Sequence, residues 1–166
     1  MFRRTADDAI EAITQTGSIM TPQDFEGTWS LESYRVDYDD GRVAYPFGDD
    51  VTGVISYQQG RVSVIFGSKD RDRFDSDNPQ FSTDAERAAA GQHFFAYSGT
   101  YDVVDDVVAH HIDICLFPNW VGDDQFRTAR FDGDLLRLEF RAGEETSRAS
   151  TLRLAWKRMA VHQSLS

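Results

Sequence analysis

Residues 51–67 read VTGVISYQQGRVSVIFG. Val51, Gly53, Ile55 and Tyr57 alternate with Thr52, Val54, Ser56 and Gln58, the period of two expected of a strand with one buried face. Gln59-Gly60 breaks the run, and the alternation resumes with Val62, Val64 and Phe66. A two-residue turn at that break pairs the two runs directly. Gly53, Ile55, Tyr57, Val62, Val64 and Phe66 then share one apolar face. The stretch reads as an antiparallel hairpin.

The same pattern covers most of the chain. Candidate strands fall at 28–38, 51–58, 61–67, 93–103, 106–117, 125–131, 134–141 and 150–158. Turn signals lie between them at Asp40-Gly41, Gln59-Gly60, Val104-Asp105 and Asp132-Gly133. Strand after strand with short connections predicts an all-β fold, an eight-stranded antiparallel up-and-down barrel just wide enough for one small ligand. Residues 1–22 stand apart as an N-terminal arm, in which 6–13 suit a short amphipathic helix. The barrel domain is expected over 23–160, followed by a C-terminal tail at 161–166. One insertion interrupts the strands. The polar stretch SKDRDRFDSDNPQFS at 68–82 leads into a capping box, Thr83 to Glu86, that opens a short helix through Ala90 with Gly91 as its stop. Residues 68–92 are either a solvated loop or a lid over one barrel mouth.

Composition narrows the function. A chain of 166 residues with 40% hydrophobic and 13% aromatic residues is one globular domain with a sizeable core. A net charge of −11 disfavours nucleic acid and anionic lipid, which both need a basic footprint. No apolar run is long enough to span a bilayer, and the N-terminus lacks the apolar segment of a secretory signal. The single cysteine, Cys115, has no internal disulfide partner, which suits a reducing cytoplasm. The expected partner is a small molecule, with no nucleic acid and no membrane, bound by a monomer or homodimer.

Hairpin register sorts inside from outside. A turn at Val104-Asp105 pairs Tyr101 with Val108 and Gly99 with His110. Val108, His110, Ile112, Ile114 and Leu116 then point inward, and His111, Asp113 and Cys115 outward. A turn at Asp132-Gly133 groups Gln125, Arg127, Ala129 and Phe131 with Leu136, Leu138 and Phe140. Trp29, Leu31 and Ser33 share a face, as do Leu152, Leu154 and Trp156. The interior is apolar except for Tyr97, Tyr101, His110, Gln125 and Arg127, and Gly99 leaves room beside the imidazole.

Two of these residues carry chemistry. His110, between Tyr97 and Tyr101, is a candidate general acid/base, because an imidazole titrates near neutrality. The competing role is a structural histidine bonded to a tyrosine. Arg127 is a guanidinium in an apolar barrel with no inward carboxylate beside it, so a ligand carboxylate or enolate is a natural partner. Stacking on an aromatic ring such as Trp120, or reaching solvent at the mouth, would also accommodate it. Gln125, Tyr57, Phe66, Asn119, Trp120 and Leu138 are the candidate ligand-binding residues. Adjacent histidines in a strand face opposite ways and cannot share a metal, and no motif for haem, phosphate or another cofactor is present, so none is expected.

Gly27-Thr28-Trp29 resembles the Gly-x-Trp signature of lipocalins. Over residues 25–158 the chain is similar to the bacterial and fungal lipocalin-like domain family, through GTWSLESYRV, YPFGDDVTGVISY, FAYSGTYDV and HHIDICLFPNWVGDDQFR. That resemblance implies an eight-stranded barrel with a small-molecule cavity and leaves the reaction open, since the fold hosts carriers and enzymes. Phenolic acid decarboxylases share the barrel and a similar length, but their motif does not align onto this sequence.

The residues point to a cytoplasmic barrel of secondary metabolism, acting as a cofactor-free isomerase, cyclase or lyase. In it Arg127 stabilises developing negative charge, His110 moves a proton, and Tyr97 or Tyr101 assists. The alternatives are a non-catalytic binder or carrier, and an interaction module whose barrel is filled by its own aromatic side chains.

Overall fold

The computed structural model describes residues 19–143 and 149–160. The helix expected at 6–13 and the tail at 161–166 lie outside the described residues. A single turn of helix, α1 (Pro22–Phe25), leads into β1 (Gly27–Tyr38), and a short β2 (Val43–Ala44) pairs with its far end. Then come β3 (Val51–Gln58), β4 (Arg61–Ser68), helix α2 (Asp84–Gln92), β5 (Phe94–Val104), β6 (Val107–Cys115), β7 (Asp124–Asp132), β8 (Leu135–Ala142) and β9 (Ser150–Arg158). Each strand from β3 onward pairs with the next, and β9 returns to pair with β1, so the sheet closes as an eight-strand antiparallel barrel with β2 at its rim.

The 51–67 hairpin has the expected register, Tyr57 opposite Val62 and Gly53 opposite Phe66. Gln59 and Gly60 hold φ of 52° and 74°, the two left-handed residues that match the twist of the flanking strands. Two other hairpins turn one residue later than expected, at Asp105-Asp106 and Gly133-Asp134. Tyr101 therefore faces His110 and Gly99 faces Ile112. A slip of two residues preserves every side chain's face, which is why the inside and outside assignments survive it.

Bulges overturn the assignments that extend past them. Between Ser98 and Gly99 the pairing skips Asp113, so beyond it the β6 alternation inverts. Ile114 and Leu116, expected inside, are exposed, and Cys115, expected outside, packs against the core. Gly99 does not make room for the imidazole. A Cβ there would lie 1.7 Å from the His111 carbonyl oxygen, so the close backbone approach at the bulge demands glycine. A second bulge in β1, between Leu31 and Ser33, turns Ser33 outward and brings Tyr34 and Val36 in.

The two ends of the barrel differ. At the N-terminal end, Trp29 is fully buried, its Nε1 donates to the Phe25 carbonyl at 2.9 Å, and the Arg158 guanidinium lies 3.9 Å from its ring. Arg158 also donates to the Glu26 and Asp24 carbonyls at 2.7 and 2.8 Å. These bonds satisfy the α1 backbone and seal that end. The long connections lie at the opposite end, where Tyr34, Phe47, Phe66, Phe95 and Trp120 pack edge to face, tilted or stacked. The Thr83–Glu86 capping box forms as expected, and its helix runs on past Gly91 to Gln92. No residue of 69–92 lines the barrel cavity. No helix among the described residues is long and apolar enough to cross a membrane.

Candidate functional site

His110 stands at the centre of a buried polar chain. Its side chain is 0% exposed, with Tyr57 Oη 2.9 Å from Nε2 and Tyr97 Oη 2.8 Å from Nδ1. A neutral imidazole donates through one nitrogen and accepts through the other, so one phenol accepts and the other donates. Burial, reinforced by the Arg127 and His111 charges, pushes the His110 pKa from 6.5 down to about 3. This corrects the expectation that His110 titrates near neutrality. Its flanking partners are Tyr57 and Tyr97, not Tyr97 and Tyr101.

Tyr101 has another task. Its hydroxyl donates to the Pro22 carbonyl at 3.1 Å and approaches the Glu26 carboxylate at 3.5 Å, tying α1 to the sheet. Burial, with the Glu26 charge, pushes its pKa up to about 12. Tyr57, placed by sequence on the ligand wall, lies beneath the cavity and packs on Phe25 and Tyr101.

Above the polar chain, toward the aromatic end, lies a cavity of about 40 Å³. Its wall includes Phe66, Tyr97, Trp120, Arg127, Leu138 and Trp156. Of the expected ligand residues, Phe66, Trp120 and Leu138 are therefore present. Asn119 is exposed on the turn beside Trp120, and half-buried Gln125 pairs with His110 across the strands without reaching the cavity. The volume suits a few water molecules, whereas pockets for drug-sized ligands run to roughly 300–1,000 Å³. A larger guest enters only if the aromatic side chains at the mouth move.

Arg127 is 5% exposed, and its electrostatic surroundings are unusual. One terminal nitrogen donates to the Phe126 carbonyl at 3.0 Å, and its guanidinium carbon lies 4.1 Å from the centre of the Phe140 ring. The stacking partner is Phe140, not Trp120. Among the described residues no carboxylate pairs with it. Its charge is felt by four neutral groups, Tyr34, Tyr57, Tyr97 and His110. Burial pushes Tyr34 and Tyr97 up to about 12 while Arg127 pulls the other way.

Trp156 is the residue that sequence reasoning placed inside without assigning a role. It is 1% exposed, and its indole N–H has no hydrogen-bond partner among the described residues. A buried donor left without a partner costs about 1–3 kcal/mol. Its inward position was readable from the β9 alternation. Phe140 was readable in the same way, but its contact with Arg127 depends on the observed β7 rotamer.

Outside the wall, His111 Nδ1 lies 2.6 Å from Asp124 and Nε2 lies 3.0 Å from Asp102. Asp113, placed on the same outward face by sequence, pairs with Arg61 at 2.7 Å. Among the described residues no three His, Cys, Asp or Glu side chains gather as a metal site.

Residues 26–159 match the profile of a lipocalin-like domain family. The chain is also 38% identical over 64 residues to the 4'-hydroxy-3'-methoxypropiophenone carrier protein of Aspergillus oryzae. That alignment covers 34% of this chain and spans 58% of the length of the relative.

Proposed function

The chain belongs to the lipocalin-like domain family, and on that premise we propose that its barrel binds a compact aromatic molecule bearing a carbonyl or anionic oxygen. The observation that carries this reading is Arg127, a guanidinium 5% exposed with no carboxylate partner among the described residues. A buried charge without a counter-ion is costly, and a ligand oxygen at Arg127 offsets that cost. The partial relative named as a carrier of an aryl ketone supports the same chemistry. The protein is then an intracellular carrier, cytoplasmic and monomeric or homodimeric, in secondary metabolism.

The test is calorimetric titration of the purified protein with 4'-hydroxy-3'-methoxypropiophenone, alongside Arg127→Met, which keeps the volume and removes the charge. Saturable binding weakened at least roughly tenfold in Arg127→Met is expected, a difference of about 1.4 kcal/mol. Absence of binding by the wild-type protein overturns the reading.

A second reading, catalysis, is favoured by the Tyr97 hydroxyl, which joins His110 to the cavity wall beside Arg127. There water takes the α-proton and returns it, while Arg127 and the Tyr97 hydroxyl, itself accepting from the neutral His110 ring, donate hydrogen bonds to the enolate oxygen formed in between; no protein group gives up a proton. Exchange of the ketone's α-protons in heavy water, followed by NMR, separates the readings. A carrier leaves the exchange rate unchanged. Acceleration that Tyr97→Phe abolishes establishes catalysis.

A further inference from the structure

We propose that the barrel holds its aromatic ligand as the anion, a phenolate conjugated to a carbonyl, with Arg127 and the Trp156 indole N–H as its two fixed donors. The inference rests on the binding reading above and goes further by naming the ionisation state and the second anchor. Its first support is a count of donors and acceptors. The groups on the cavity wall that only donate are Arg127 and Trp156 Nε1, the latter without a partner among the described residues, while the Tyr34 and Tyr97 hydroxyls on the same wall can donate or accept. A neutral phenol brings an O–H donor that neither Arg127 nor Trp156 can accept, which leaves it only the Tyr34 and Tyr97 hydroxyls. A phenolate or carbonyl oxygen brings only lone pairs.

The second support is charge. The groups that the neighbouring strands bring toward Arg127 are Tyr34 from β1, Tyr57 from β3, Tyr97 from β5 and His110 from β6, with Cys115 beside Tyr97. Burial holds the three tyrosines protonated and His110 neutral at pH 7. None of them neutralises the guanidinium. A ligand that enters neutral fills space and leaves the charge uncompensated, whereas an anion does both.

The third support is the ligand's own chemistry. An ordinary phenol ionises near about pH 10, and a carbonyl conjugated through the ring lowers that by spreading the negative charge onto the second oxygen. The charge is then present at both ends of a flat molecule. On binding, the O–H bond breaks, its electron pair stays on the ligand, and the proton leaves to the buffer. No protein group changes its protonation state.

Ionisation of such a phenol moves its absorption to longer wavelength, so the state of the bound ligand is visible directly. The probe is 4'-hydroxy-3'-methoxypropiophenone, titrated with excess protein about one pH unit below its own midpoint, and its O-methyl ether, which cannot ionise. The proposal expects the long-wavelength band to grow with protein and one proton to be released per ligand bound. It expects the ether to bind at least roughly tenfold more weakly. Trp156→Phe keeps the ring and removes the donor, so the expected result is several-fold weaker binding with the band retained. Arg127→Lys keeps the charge and the band, while Arg127→Met loses the band; near-ultraviolet circular dichroism checks that each variant is folded. Binding of both compounds with equal affinity and no band overturns the anionic state while leaving the binding reading intact. Binding of neither overturns both.

Discussion

On the inner side of β6 the imidazole of His110 lies between the hydroxyls of Tyr57 and Tyr97. On the outer side the imidazole of the next residue, His111, lies between the carboxylates of Asp102 and Asp124. Each ring has both nitrogens engaged, one pair by phenols in a dry interior and the other by anions in water. The consequences run in opposite directions. Burial pushes His110 down to about 3, whereas hydrogen bonds that the His111 ring donates to the Asp124 and Asp102 carboxylates raise it above 6.5. One strand thus carries a neutral histidine inside and a chargeable one outside. The difference arises from strand alternation, and a histidine's partners decide its chemistry more than its position in the chain does.

Truncation should show the largest contrast. His110→Ala leaves two buried hydroxyls without a partner, each costing about 1–3 kcal/mol, and adds a cavity in a closely packed interior. The expected loss is about 4 kcal/mol in urea unfolding at pH 7. His111→Ala removes a solvent-exposed pairing and should cost under about 1 kcal/mol. Equal losses would mean that the wall does not separate two environments, and the comparison would collapse.

Acid should sharpen the same contrast, with a smaller effect at each step. The folded-state pKa of His110 is below its unfolded value of 6.5, so its stability contribution is fully present above pH 6.5 and is lost as pH falls toward 3. The slope is about 1.4 kcal/mol per pH unit within that window. Urea midpoints measured from pH 7 to pH 4 should fall accordingly. His110→Gln, which has no titrating group, should flatten the decline even if it starts from a lower stability. A wild-type profile that stays level to pH 4 would place His110 in contact with water.

Both faces of β6 were legible in its alternation, because a turn misplaced by one residue shifts pairing by two and leaves each side chain on its face. What alternation could not carry was the bulges. Asp113 and Glu32 look like ordinary outward residues, and nothing local marks them as extra, although Gly99 in mid-strand was a hint of a close backbone approach. Hence Cys115 and Tyr34 were assigned to the wrong side or left out. The polar interior was legible as a set, from the inward registers of Tyr97, His110 and Arg127. Its wiring was not, because which tyrosine reaches which ring nitrogen depends on the curvature of the closed barrel. Tyr57 comes from β3, separated from β6 by β4 and β5 in the sheet, and neighbour-by-neighbour register does not bring them together. The Trp156 N–H, without a partner among the described residues, was likewise invisible, since a missing bond can be recognised only once the neighbours are known.

The smallest expected effect is the outer histidine's own titration, and its sign is opposite. A folded-state pKa raised above 6.5 means that the stabilisation is fully present below pH 6.5 and is lost as pH rises through the folded value. Asp124 is the first cause and Asp102 the second, so the two carboxylates can be removed in turn. In two-dimensional NMR the His111 ring protons should titrate above 6.5 in the wild-type protein. Asp124→Asn should lower that midpoint more than Asp102→Asn does, and the double variant should return it close to an ordinary histidine. The His110 ring should show no titration anywhere in this range in any of the four proteins, because the changes lie across the strand from it. A His110 signal that moved with the outer carboxylates would mean that the two faces are electrostatically joined through the backbone. The reading of His110 as a neutral hydrogen-bonding partner for Tyr97, insulated from the surface, would then fail before any ligand is added.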